Sequence, residues 1–143
     1  MYKKILAAVD FFDESVEFLE RAKITAKEFG SALELLYVID YIPGFDAVAG
    51  VPTGLLISLQ DLEDNARDNL SSLAEKAGLS LEQCHVVVGP VATRVVEHAV
   101  DVGADLILVG GHGRHGFKKL LGSTANAVLN RATVDVLVVR LGE

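Results

Sequence analysis

Five short apolar runs, Ile5 to Val9, Leu33 to Val38, His85 to Val88, Leu106 to Val109 and Val134 to Val139, alternate with longer stretches in which apolar residues return every three or four positions. That alternation is the sequence form of βαβ units. A run such as Leu106-Ile107-Leu108-Val109 has no polar face to turn to water, so it expects cover on both sides. Four helices on five parallel strands supply that cover. The expected fold is therefore α/β: a single doubly wound, Rossmann-like five-stranded parallel sheet with helices on both faces. At 143 residues the chain suits one domain, residues 1–143, with one layered core.

The helical stretches carry their own punctuation. The first has Asp13 as N-cap, Glu14 and Glu17 in its opening turn, and Val16, Leu19, Ala22, Ala26 and Phe29 on one face, with Gly30 as its stop. The second is expected from about Ser58, with Leu59, Leu62, Ala66, Leu70, Leu73 and Ala77 facing inward and Gly78 as its stop. The third carries Val91, Val95, Ala99 and Val102 before Gly103, and the fourth runs from Ser123 to about Arg131. Between Ile39 and Leu56 two prolines and three glycines fall without a sustained period, which predicts a long loop of the lid or contact type.

Bulk properties narrow the function classes. No apolar run approaches the ~20 residues that span a bilayer, and the opening run from Ile5 to Val9 is short for a signal sequence, so no membrane association is expected. A single cysteine, Cys84, excludes an internal disulfide and suits a reducing compartment; the expected location is the cytoplasm. The net charge of −7 argues against nucleic acid as partner, because affinity for a phosphate backbone comes from clustered Lys and Arg. The one local basic group, Arg114, His115, Lys118 and Lys119, sits inside a glycine-rich segment.

In an open parallel sheet ligands bind beyond the carboxyl ends of the strands, where the strand order reverses. Three segments lie there. Asp10 follows the first strand and can accept a hydrogen bond from a ribose hydroxyl or a base amine, or simply cap a helix. Val38-Ile39-Asp40 ends the second, where Val38 can pack on a base or serve only as a strand residue. The third, from Val109 through Gly110, Gly113 and Gly122 to Ser123 and Thr124, is a strand that opens into a glycine-rich loop and then a helix. Glycines let backbone N–H groups approach an anion, and the helix N-terminus adds partial positive charge. The hydroxyls of Ser123 and Thr124 can donate to phosphate oxygens, or either residue can be an ordinary N-cap.

Other readings of the same residues are weaker. Gly111, Gly113 and Gly116 spell a G-x-G-x-x-G, but the helix starts near Ser123 and Asp135 opens its strand instead of ending one, so a dinucleotide fingerprint is not expected. No Gly-Lys-Ser or Gly-Lys-Thr closes the loop as a P-loop would. His112 and His115 lack a third ligand nearby for a metal. Cys84 reads as a small buried hydrophobe, and His98, on a helix whose Glu97 and Asp101 are solvated-face candidates, needs no function, any pairing with Asp101 across one turn being minor. No catalytic triad is defined by residue order, and no catalytic residue is assigned.

Taken together, Ile-Leu-Ala-Ala-Val-Asp at 5–10, Tyr-Val-Ile-Asp at 37–40, Gly-Ala-Asp-Leu-Ile-Leu-Val-Gly-Gly-His-Gly-Arg-His-Gly at 103–116, Leu-Leu-Gly-Ser-Thr-Ala at 120–125 and Val-Asp-Val-Leu-Val-Val at 134–139 resemble the universal stress protein family over essentially the whole chain. The glycine pattern of its nucleotide-binding branch is matched at Gly110, Gly113, Gly122 and Ser123. The eight residues between, Arg114 to Leu121, are one fewer than that pattern has. The resemblance implies an adenine nucleotide, ATP or AMP, alone or with Mg2+. It places Ala8, Val9, Asp10 and Val38 on the adenosine side, and Val109, Gly110, His112, Gly113, Gly122, Ser123 and Thr124 on the ribose and phosphates. It further implies a homodimer through Val134 to Val139, a regulatory protein partner, and a stress-response binding role with at most slow ATP hydrolysis. A nucleotide-free dimeric adaptor and an adenylyl- or phosphoryl-transfer enzyme are the alternatives.

Overall fold

The computed structural model describes residues 1–9, 15–40, 54–112 and 122–141. In chain order its elements are β1 (Lys4–Val9), α1 (Ser15–Phe29), β2 (Ala32–Asp40), α2 (Gly54–Ala77), a single 3-10 turn at Leu81–Gln83, β3 (Cys84–Gly89), α3 (Val91–Val102), β4 (Leu106–His112), α4 (Ser123–Arg131) and β5 (Asp135–Leu141). The five strands form one parallel sheet in the order β3-β2-β1-β4-β5. The order reverses between β1 and β4, which puts the ligand-binding crevice of a doubly wound sheet at their carboxyl ends.

The continuous apolar strands are buried on both faces, as their composition requires. Ile5, Leu6, Ala7, Leu35, Leu36, Ile107 and Leu108 have no exposed surface. Alternate residues along each strand feed two separate cores. One holds Ile5, Ala7, Leu35 and Leu108 under Phe18, Leu19 and Ala22 of α1 and Leu70, Ala74 and Ala77 of α2. The other holds Leu6, Leu36, Ile107 and Val109 under Val95 and Ala99 of α3 and Ala125 and Val128 of α4. The doubly wound α/β expectation is thus met, with α1 and α2 on one face and α3 and α4 on the other.

The helix stops at Gly30, Gly78 and Gly103 are observed. At the last, Gly103 takes a left-handed φ of 75° so that its N–H reaches Val100 O and the N–H of Ala104 reaches Ala99 O, closing α3. Asp13 lies outside the described residues.

Four expectations about elements are corrected. Val16 is 57% exposed while Phe18 is buried, because the inward stripe of α1 is centred on Phe18, Leu19, Ala22 and Ala26. Leu62 is 53% exposed. The buried stripe of α2 runs through Ala66, Leu70, Ala74 and Ala77 and does not include it. The segment from Ile39 to Leu56 is loop over less than its length: Ile39 and Asp40 remain in β2 and Gly54 already begins α2, while 41–53 lie outside the described residues. Finally, β4 does not release at Gly110. Its ladder continues through Gly110, Gly111 and His112, paired with Val139, Arg140 and Leu141, because β5 extends beyond Val139 to supply partners.

Candidate functional site

The carboxyl ends of β1, β2 and β4 and the amino ends of α3 and α4 enclose a cavity of about 370 Å3. That volume lies within the range of small-molecule sites. Ala8 and Val9 come from β1, Val38 from β2, Val109 and Gly110 from β4, and Gly122, Ser123 and Thr124 from the start of α4. Eight residues singled out in the sequence therefore line one cavity. Asp10 and Gly113 lie outside the described residues, as does the side chain of His112, whose backbone forms the end of β4.

Local structure explains why those groups converge. Parallel strands all point their carboxyl ends the same way, and each following helix starts there with its first N–H groups unpaired. At α4 the N-cap is Gly122, not Ser123 or Thr124. Its φ of −62° and ψ of 157° are ordinary for an N-cap, and no side chain caps the turn. A side-chain carbon built on Gly122 would meet no described atom within 4 Å. Among the described residues, neither backbone conformation nor packing requires glycine at this position. Its effect is to leave the first-turn N–H groups and the hydroxyl-bearing Ser123 and Thr124, both exposed, open toward the cavity.

Gly110 is glycine for a different reason. Its missing side chain would point away from the cavity into the first core, 2.9 Å from Leu141 Cδ1 and 3.8 Å from Phe18 Cδ1. The close approach is protein to protein.

Leu36, Tyr37, Asp40, Val91, Val95 and Ala125 also line the cavity and were not assigned to it from sequence. Asp40 ends β2 beside Gly89 of β3 and is the one carboxylate among the described lining residues. Val91 and Val95 belong to α3, whose start occupies the same edge after β3 that Ser123 occupies after β4. That equivalence, a helix opening directly after a strand, was the available signal. Apart from Asp40 and Tyr37 the strand and α3 residues of the wall are aliphatic or glycine, so the cavity offers an apolar surface on one side and hydrogen-bond donors at α4 on the other. This combination suits a ligand with a flat apolar body and an anionic end.

Cys84 is half-buried at the start of β3, with its Sγ 3.6 Å from Ser80 O, and burial pushes its thiol up from the ordinary value. The His98 ring packs on His85 with its Nε2 buried. Among the described residues, no helix is long and apolar enough to cross a membrane.

Comparison with known proteins gives a consistent result. A sequence profile described as the Universal stress protein family matches residues 1–140. Universal stress protein A homolog 1 of Coxiella burnetii is 38% identical over 143 residues, covering 99% of each chain. The solved structure of MJ0577, a universal stress protein of Methanocaldococcus jannaschii, is 30% identical, with a TM-score of 0.68 over 100% of this chain and 99% of that one. A universal stress protein solved in complex with cAMP is 27% identical, with a TM-score of 0.60 over 97% of both chains. With the profile spanning nearly every residue and close relatives matched end to end, the chain belongs to the universal stress protein family.

Proposed function

We propose that this protein binds an adenine nucleotide, ATP or AMP, in the cavity at the β1–β4 edge and acts as a stress-response regulatory protein. The observation that carries the reading is the meeting, in one cavity, of an aliphatic wall from Ala8, Val38 and Val109 with the uncapped amino end of α4 at Gly122, Ser123 and Thr124. The wall suits the base, and the α4 donors suit phosphate. Gly110 shapes the floor, and Asp10, His112 and Gly113 complete the set proposed to face the nucleotide. A family member solved with cAMP supports an adenine nucleotide as the ligand class. Mg2+ would accompany ATP through the phosphates. The nucleotide serves as a conformational ligand, with hydrolysis below about 1 per second, the low end of ordinary enzymes.

The same reading makes the protein a cytoplasmic homodimer joined along β5, and gives it a regulatory protein partner. Among the described residues β5 pairs only with β4, and Leu137 stands exposed on it.

Calorimetry with ATP, AMP and cAMP, with and without Mg2+ and with GTP as control, tests the assignment when run beside Gly122→Asp. Aspartate is a strong N-cap, so the variant should keep or slightly raise the unfolding midpoint. Its carboxylate takes up the first-turn donors and repels an anion. Losing a hydrogen bond to a charged group costs about 1.5–3 kcal/mol, so affinity should fall about tenfold or more. Unchanged affinity would remove the phosphate from α4; no binding of any adenine nucleotide would leave the dimeric adaptor as the function.

A further inference from the structure

Away from the cavity, α3 carries a second group of side chains that the nucleotide reading does not use. The rings of His98 on α3 and His85 on β3 lie 4.7 Å apart, tilted by 54°. His85 Nε2 sits 2.6 Å from Glu34 Oε1 on β2. Lys4 Nζ on β1 lies 3.3 Å from Glu34 Oε2 and donates to Val102 O, at the end of α3, at 3.0 Å. The last two turns of α3 are thus held to the sheet at two points, Val102 through Lys4 and His98 through His85, with Glu34 bridging them. Both oxygens of Glu34 are committed.

His98 Nε2 is buried and, among the described residues, has no hydrogen-bond partner. A neutral ring tolerates this, with a bare lone pair at that atom. Protonation would place an N–H there with no acceptor and a charge against the His85 ring, at the cost that any unpaired buried donor carries. The alternative position for the ring is outward. There a hollow of about 270 Å3 is lined by His98, Val87, Arg94, Glu97 and Asp101. Glu97 is engaged by Arg94 Nη1 at 2.7 Å, so Asp101 is the carboxylate left to receive an imidazolium.

We propose that the His85–His98 contact is a proton-operated latch: on acidification His98 leaves the sheet for the Asp101 hollow, loosening α3 and with it the Val91 and Val95 wall of the cavity. The groups facing His98 are His85 from β3, Glu34 from β2 with Lys4 of β1 behind it, and Arg94, Glu97 and Asp101 from its own helix. Desolvation, followed by His85, holds His98 below the ordinary histidine value, against the pull of Glu34 and Asp101. A lowered histidine favours the neutral, docked form. The latch is fully closed above about pH 6.5 and opens as pH falls from there toward the folded value. Among the described residues no three His, Cys, Asp or Glu side chains converge as a metal centre would need.

The latch is a property of α3 alone, while its effect on ligand rests on the adenine-nucleotide reading. Amide hydrogen exchange at pH 7.5 and 5.5, corrected for intrinsic rates, compares α3 with α1 as internal reference. In the wild type, protection of α3 relative to α1 should fall about fivefold or more at pH 5.5, the low end of typical coupling factors between sites. His98→Gln, which cannot take a charge, should show no such difference, and Asp101→Asn should reduce it. Equal loss in α3 and α1, or an undiminished difference in His98→Gln, would overturn the latch. The wild-type exchange and an NMR titration of the His98 ring decide the matter even where a variant folds poorly; a ring that titrates at the ordinary value would also overturn it. For the nucleotide that binds, affinity should drop at pH 5.5 in the wild type and not in His98→Gln, which controls for protonation of the phosphate itself. A wild type whose α3 opens while affinity stays constant would overturn the link to the cavity. Absence of nucleotide binding would count against the function proposed above and leave the exchange result standing.

Discussion

The Cδ1 methyl of Leu141 lies 2.9 Å from where a side-chain carbon on Gly110 would stand. The first glycine of the site segment is therefore set by β5, whatever the cavity holds. Its neighbours across the first core, Phe18 and Leu141, are both buried.

Gly110→Ala should accordingly destabilise the fold by about 1–3 kcal/mol, the usual cost of overpacking a closed core. Leu141→Ala opens the space, so the pair should be non-additive by about 0.5–3 kcal/mol. Urea unfolding of the four chains of the cycle measures this, and strict additivity would contradict the contact.

Gly89 ends β3 with a φ of 145°, and a side-chain carbon there would fall 2.5 Å from Arg94 Nε, which itself donates to Val88 O at 3.0 Å. Gly89→Ala should cost about 1–3 kcal/mol, as backbone in a sparsely populated region does. Because the conformation itself is strained for an L residue, removing the clash with Arg94→Ala should not restore stability. Thermal unfolding of the single and double variants separates strain from crowding.

Asp105 closes the amino edge of the sheet. Its carboxylate accepts the Lys3 N–H at 2.9 Å and the Lys4 N–H at 3.0 Å, and these bonds hold its carboxyl below the usual aspartate value. A depressed folded value means that the contribution is present above the unfolded value of about 3.9 and is lost as pH falls below it. Unfolding midpoints measured from pH 5 down to pH 2 should fall less steeply in Asp105→Asn than in the wild type. Parallel curves would show that the carboxylate contributes nothing through its charge.

The sides of β5 differ in what a charge would do. Val136 and Val138 pack on the second core, whereas Leu137 is 41% exposed. Leu137→Glu should convert the expected dimer to monomer in sedimentation while stability stays within about 0.5 kcal/mol, the range of surface changes. Val136→Glu and Val138→Glu should instead destabilise the fold. A wild type that sediments as a monomer at micromolar concentration would remove the dimer.

Much of this architecture was legible before any coordinates. Period-two and period-3.6 burial leave their mark along a single element, so the aliphatic runs showed five strands and the glycines at 30, 78 and 103 showed where helices stop. Strand ends and the helix start after β4 are local features and led to six of the cavity residues, Val38, Val109, Gly110, Gly122, Ser123 and Thr124, while Ala8 and Val9 came only through the family resemblance. What stayed hidden depends on partners far along the chain. The register of β5 carried β4 through His112, the packing of α2 on Ala66, Leu70 and Ala74 left Leu62 exposed, and Val91 and Val95 became cavity wall only because α3 crosses over β2.

The sequence by itself determined the strands, the helices and the glycines that stop them, since each is a consequence of neighbours within one or two turns. Tertiary structure alone decided that Gly110 answers to Leu141 and that His98 answers to His85 instead of to water. Those relationships arise when the sheet order brings separate elements together. Periodicity records that a residue is buried, and only the packed fold specifies against what.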